Sequence, residues 1–220
     1  AGTGKEVKKL HRKKIVTMGR KHIGKLAAIC SALCIAGALQ GNSADTVYAQ
    51  GSGVARIHFL AFSQSTEGTL LESRDADGNP IFGMIDSGED WDYPDGSDPR
   101  YPLRSGIVTD DGNDEEVVNY LRKLGVNKDN FLFYIGTHPH SDHIGTADTV
   151  IREFQPQTQY LMSYDDSYID TSQTDVHLWD NQYVYDQTLE AAAEMGIQVV
   201  QDINDQNSRL SLGDFQLQIV

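Results

Sequence analysis

The sequence predicts a layered α/β (α+β) domain, and three observations carry that expectation. Residues 54–62 alternate, with Ile57, Phe59 and Ala61 set against Arg56 and His58, as a half-buried strand does. Residues 69–74 and 81–86 flank Asp75-Ala76-Asp77-Gly78-Asn79-Pro80, a run of turn formers, and so form a hairpin. Beyond them helical and strand-like segments take turns without internal repeats, the pattern of helices packed on a sheet.

A long polar segment, 87–112, comes after the hairpin, and its Trp91, Tyr93, Tyr101, Arg100 and Arg104 argue for an ordered loop. Asn113 or Asp114 can cap a helix in which Val117, Val118, Leu121 and Leu124 share a face and which Gly125 ends. Residues 131–135 are continuously apolar, as in a strand buried on both faces. A helix over 147–154, a strand over 159–163, a helix over 178–195 ending at Gly196 and a strand over 197–201 complete the alternation. Residues 215–220 alternate once more.

Charge divides the chain. Residues 1–49 hold nine Lys+Arg against two Asp+Glu, a net of +7, which leaves 50–220 at −21. So acidic a surface repels phosphate backbones, and nucleic acid is excluded as a general partner. Both cysteines, Cys30 and Cys34, lie in the basic part, so 50–220 has neither a disulfide nor a zinc–thiolate site. Arg20, Lys21 and Lys25 precede an apolar run over 26–39, short for a membrane span but suited to a signal peptide. We therefore expect a leader over 1–49, its signal peptide over 18–49 with Met18 as the start, and cleavage after Val47-Tyr48-Ala49, before Gln50. No stable membrane anchor remains after cleavage.

The chemistry concentrates in Thr137-His138-Pro139-His140-Ser141-Asp142-His143-Ile144-Gly145, where three of the seven histidines and a carboxylate come directly after the buried strand. Neutral imidazoles with a carboxylate suit Zn²⁺. Extended alternation points His138 and His140 one way, and Asp142 and His143 turn toward a second position. Two metals held so can activate one water and clamp a transition state between them. Separately, Asp90, Asp92, Asp95 and Asp98 with Gly96 resemble a calcium-type carboxylate loop, so Ca²⁺ stands beside an acidic solvated loop as an alternative.

The histidine segment, with Asp86-Ser87-Gly88 before it, resembles the first metal motif of metallo-β-lactamase-fold hydrolases. Two further segments are similar to the secreted teichoic-acid phosphorylcholine esterases of Gram-positive bacteria. One runs from Gly88-Glu89-Asp90-Trp91 to Arg100-Tyr101-Pro102; the other is Leu178-Trp179-Asp180-Asn181-Gln182-Tyr183-Val184-Tyr185-Asp186 together with residues 191–201. The resemblance implies the N-terminal half of an αββα sandwich, truncated, as a partial catalytic domain over 50–220. It implies two Zn²⁺, one on His138 and His140 and the other on Asp142 and His143, with Asp142 also the catalytic carboxylate and Asp86 bracing the loop. It implies a secreted or cell-wall-associated phosphodiesterase that releases phosphorylcholine from a choline-bearing wall or membrane polymer. That family's pattern continues with further histidine and aspartate ligands not found in this chain, so the chain alone is expected to be inactive.

Aromatic faces attract a quaternary ammonium, which makes Trp91, Tyr93 and Trp179 candidate substrate contacts; Tyr183 and Tyr185 are helix-packing residues as readily. Arg100 and Arg104 are expected to pair with neighbouring aspartates. A lactonase, a β-lactamase or a competence-type nuclease on the same scaffold, and a non-catalytic wall-binding module, remain the alternatives.

Overall fold

Six strands form the central sheet. In the computed structural model, residues 46–50, 53, 55–63, 65–172 and 176–220 are described, and for 46–50 the backbone alone. The expected signal peptide lies outside them up to residue 45. The expected cleavage point before Gln50 falls within a strand, β1 (Thr46–Gln50). Among the described residues no helix is long and apolar enough to cross a membrane.

The central sheet runs β2 (Ala55–Leu60), β3 (Gly68–Arg74), β4 (Pro80–Ser87), β5 (Phe131–Gly136), β6 (Thr158–Leu161) and β7 (Gln198–Val200), in that spatial order. β2, β3 and β4 are antiparallel neighbours, and β4 through β7 are parallel. Parallel strands need crossovers, and helices supply them: α1 (Asp114–Leu124) leads into β5, α3 (Ala147–Phe154) into β6 and α4 (Asn181–Met195) into β7. Among the described residues, β1, β8 (Arg209–Gly213) and β9 (Phe215–Gln218) form a smaller sheet.

Two cores hold these layers together. On one face of the central sheet Phe82, Met84, Phe131 and Tyr134 pack with Val117, Leu121, Val150, Phe154 and Val184 of the three helices. On the other, Leu71, Ile81, Leu132, Phe133, Ile135 and Tyr160 pack with Leu210 and Leu212 of β8. The order of layers is helices, six-stranded sheet, three-stranded sheet. Each fully buried aromatic or leucine stabilises this stack by roughly 1.5–3 kcal/mol.

β5 departs from plain alternation. Phe82 pairs with Phe131 but Gly83 pairs with Phe133, so Leu132 is an extra residue and β5 bulges there. The bulge turns Phe133 to the face opposite Phe131, and its ring then lies over Gly83. A Cβ at position 83 would stand 2.2 Å from Phe133 Cζ, so only glycine fits beneath the ring.

The helix boundaries have local causes. α1 carries Asp114, Glu115 and Glu116 in its first turn and Arg122 and Lys123 in its last, matching the helix dipole. Gly125, at φ 82°, closes it by donating its N–H to the Arg122 and Leu121 carbonyls. Asn113 stands at the cap position but makes no side-chain cap bond; its backbone N–H instead donates to the Glu89 carbonyl. The expected helix over 178–195 begins only at Asn181, because Trp179 adopts φ 37° and breaks the turn before it.

Candidate metal centre

β4 and β5 are parallel neighbours, so Asp86 and Thr137 emerge side by side at the carboxyl edge of the sheet, where α/β folds place ligands. Gly136 lets the chain leave, since a Cβ there would stand 2.8 Å from Leu161 Cδ1. Pro139 favours extended backbone at His138, and His140 is extended at φ −85°, ψ 144°. Two extended residues separated by one point the same way. His138 Nε2 accordingly lies 3.0 Å from His140 Nδ1. The short helix α2 (Ser141–Ile144) then turns the chain and presents Asp142 and His143 from its first turn. His143 Nε2 stands 3.9 Å from Asp142 Oδ2, and the His138 and His143 rings are 3.9 Å apart.

Asp86 organises these rings. Its Oδ1 accepts the Thr137 backbone N–H at 2.8 Å, and its Oδ2 accepts the Thr137 hydroxyl at 2.7 Å and His143 Nδ1–H at 2.9 Å. Having spent its proton on Asp86, the Thr137 hydroxyl can accept from His138 Nδ1–H at 3.1 Å. Both rings are thereby fixed as tautomers with bare Nε2 atoms. Asp86 itself sits at φ 53°, a strained conformation for a residue with a side chain, maintained by this bond set.

The charges reflect the same geometry. Burial, and then the neighbouring imidazoles, lower the pKa of His138; burial lowers that of His140 against the pull of Asp142. At His143 burial also favours the neutral ring, but the hydrogen bond and charge of Asp86, with Asp142 and Glu67, outweigh it and raise the pKa.

Do these groups fit zinc? Nitrogens bound at about 2.0–2.1 Å to one tetrahedral ion stand roughly 3.3 Å apart, close to the His138–His140 spacing. The donors are of the right kind, imidazole nitrogen and carboxylate oxygen. The number falls short, because among the described residues no group of three or more His, Cys, Asp or Glu side chains is arranged to hold an ion. Each candidate position therefore has two donors, His138 with His140 and Asp142 with His143.

Three carboxylates of the calcium-type loop have partners or burial of their own. Asp98 is engaged by Arg100, whose Nη2 donates at 2.8 Å; Asp95 accepts the Ser97 N–H; Asp90 is buried. Arg104 pairs with Asp166 at 3.3 Å, across the fold rather than within its own loop.

The aromatic candidates separate. Trp179 is half-buried and meets the His140 ring edge-on, with centroids 4.8 Å apart. It also borders a gap lined by Pro94, Tyr101 and Tyr183. Those three residues continue into a cavity of about 320 Å³, where Tyr93, Tyr101 and Tyr183 stand with Asp95 and Asp98. Trp91, 54% exposed, lies outside that cavity, with its backbone against Gly112. Tyr185 is a core residue, 3% exposed, whose hydroxyl accepts from Gln201 at 2.7 Å.

Sequence reasoning missed Thr137, Tyr101 and the support behind the loop. Ser141 Oγ donates to Glu89 Oε2 at 3.0 Å, and Glu89 is 1% exposed. Burial, with Asp180 adding to it, pushes the Glu89 carboxyl up to about 8; burial and then Glu89, Asp114, Asp180 and Asp148 push Asp90 up to about 9. The acidic pair Glu89-Asp90 directly after Asp86-Ser87-Gly88 was the available signal. Compared with known proteins, the chain matches no family model and no curated protein.

Proposed function

We propose that this chain is the ligand-bearing part of an exported zinc-dependent phosphodiesterase of metallo-β-lactamase type, acting on phosphorylcholine diesters of a wall or membrane polymer. The observation that carries the proposal is the contact of His140 with Trp179, which links a paired-imidazole loop to a cavity of three tyrosines and two aspartates. Tyrosine faces and nearby carboxylates suit a trimethylammonium group, which has no hydrogen to donate. The helix–sheet–sheet order of layers matches three of the four layers of an αββα sandwich and supports the same reading.

In this reading His138 and His140 hold one zinc, and Asp142 and His143 the other. Bound zinc would supply Lewis acidity and an activated water. The chain's own contribution is orientation: Asp86 and Thr137 keep the imidazole tautomers, and the tyrosine cavity places the ammonium end of the substrate. Catalytic zinc takes about three protein ligands, so this chain by itself is expected to bind zinc weakly and to hydrolyse no diester. Calorimetric zinc titration with turnover of a phosphorylcholine diester and of a β-lactam checks this. Diester turnover should appear once a longer chain contributes the remaining ligands. Zinc-dependent diester turnover by these 220 residues alone, lost in His140→Ala, would overturn the ligand count; β-lactam turnover would overturn the substrate.

The cavity makes a second expectation. Tyr93→Ala should weaken phosphorylcholine binding by roughly 0.5–2 kcal/mol, and Trp91→Ala should weaken it less. Fluorescence or calorimetric titration with phosphorylcholine measures both, and the reverse ranking would move the ammonium site to Trp91.

A further inference from the structure

Behind the metal loop lies a group of buried oxygens with too few hydrogens. Glu89, Asp90 and Asp180 are 1%, 5% and 4% exposed. Among the described residues, Glu89 Oε1, Asp90 Oδ1 and both Asp180 carboxylate oxygens lack a hydrogen-bond partner. Three anions this close, without a cation and with too few donors, would destabilise the fold by several kcal/mol. No arginine, lysine or histidine is bonded to any of them among the described residues, and no group of three acidic side chains there is arranged for a metal. Protons are the remaining way to reduce the charge.

Glu89 is also the residue that ties the metal loop down. Its backbone N–H donates to the Ser65 carbonyl and its carbonyl accepts from Asn113 N–H. Next to it, Gly88 N–H donates to the His143 carbonyl and Gly88 O accepts from Thr146 N–H. Its side chain reaches Ser141, which stands between His140 and Asp142.

We infer that Glu89 works as an uncharged carboxylic acid and is a positioning residue for the metal loop, acting through Ser141. Its zinc arm rests on the metal-centre proposal; its protonation arm does not. With Glu89 ionised, the Ser141 hydroxyl must donate to Glu89, and Asp180 is left without a hydrogen. Once Glu89 takes a proton from solvent, the same 3.0 Å contact can reverse, with Glu89 donating to Ser141 Oγ. The Ser141 hydrogen is then free for Asp180, beside it. One proton serves two carboxyl groups. The groups facing Glu89 are Asp90 on its own loop, Ser141 and Asp142 on α2, and Asp180 at the start of α4. All of the charged ones are acidic, so they favour the neutral form.

Burial and these neighbours raise the Glu89 carboxyl from 4.5 to about 8, so the folded state holds the proton more tightly than the unfolded chain. The stability this provides is complete below about pH 4.5 and is lost as pH rises toward 8.

Glu89→Gln tests the inference, because an amide is a permanent neutral donor of the same shape. Thermal unfolding of the metal-free chain should give equal midpoints for the two proteins at about pH 5 and a higher midpoint for Glu89→Gln at about pH 8.5. Infrared spectra at about pH 6 should show a protonated-carboxyl band in the parent that shrinks in Glu89→Gln. Cobalt or zinc titration should find Glu89→Gln within about twofold of the parent and Glu89→Ala weaker by roughly 10–100-fold, with an altered cobalt spectrum. A lower midpoint for Glu89→Gln at high pH, or an unchanged infrared band, would overturn the neutral acid. Equal metal affinity in Glu89→Ala would overturn the positioning role. If the parent binds no metal while the unfolding and infrared results hold, the metal-centre proposal fails and the neutral acid stands.

Discussion

Gly145→Ala is expected to abolish the organised metal loop, with zinc affinity reduced by at least roughly 10–100-fold, the range seen when groups that position ligands are lost. Backbone conformation is not the obstacle, for Gly145 is helical at φ −52°, ψ −57° and alanine would be at home there. Space is the obstacle. A Cβ would stand 2.5 Å from the Ser141 carbonyl oxygen, 2.7 Å from Asp90 N and 3.0 Å from Gly88 O. All three are backbone atoms, so no side chain can swing aside. Relief requires separating α2 from the 88–90 segment, which breaks the Gly88–His143 and Gly88–Thr146 bonds. Overpacking of this kind costs about 1–3 kcal/mol, and more where backbone must move. Calorimetric zinc titration and thermal unfolding measure the two effects. A Gly145→Ala chain that binds zinc as the parent does would show that α2 is not seated on this segment.

Asp86→Asn should be nearly as damaging, for an electronic reason. Asparagine tolerates the left-handed backbone at φ 53°, so the substitution adds little strain. Its carbonyl can still accept from Thr137 N–H, but its NH₂ then faces the Thr137 hydroxyl and His143 Nδ1, both of which now donate. The least costly response is for His143 to shift its hydrogen to Nε2, the atom the metal site needs bare. We expect a loss of about 1–3 kcal/mol in stability and roughly 10–100-fold in zinc affinity. Nitrogen NMR of the His143 ring reports the tautomer directly. An unchanged tautomer with unchanged affinity would remove Asp86 from the argument.

Much of the architecture was legible because it is local. The helix of 114–124 and that of 147–154 appear where the apolar spacing and Gly125 place them, and β5 is buried along its whole length, as its continuous apolar run requires. The expected strand over 159–163 ends at Leu161 instead, since Met162 and Ser163 lie exposed beyond the reach of β5. β8 went unread. Its Ser211 interrupts the apolar pattern, and pairing with β1 and β9 and packing on Leu71 and Ile81 make it a strand. The site divides in the same way. His138, His140, Asp142 and His143 are neighbours in sequence, so spacing alone suggests their convergence. The contacts Asp86–His143 and Glu89–Ser141 depend on β4 lying beside β5, which no local pattern encodes. In the carboxylate loop, charge spacing is blind to the ion pair of Arg100 with Asp98.

The bulge at Leu132 has a consequence for how such a protein can vary. From Phe133 onward, every residue of β5 is offset by one position from its β4 partner, and Thr137 reaches Asp86 only by counting from that offset. The core around it can therefore trade one apolar side chain for another of similar bulk and leave the histidines where they are. Beyond the bulge the strand cannot gain or lose a residue. Leu132 is the residue without a partner, so removing it would take out the bulge and leave these pairings as they are. Removing a residue between Phe133 and Gly136 would instead slide Thr137 and both histidines one place along the sheet, each turned to the opposite side. β5 touches no ligand, yet its length is part of the site's address.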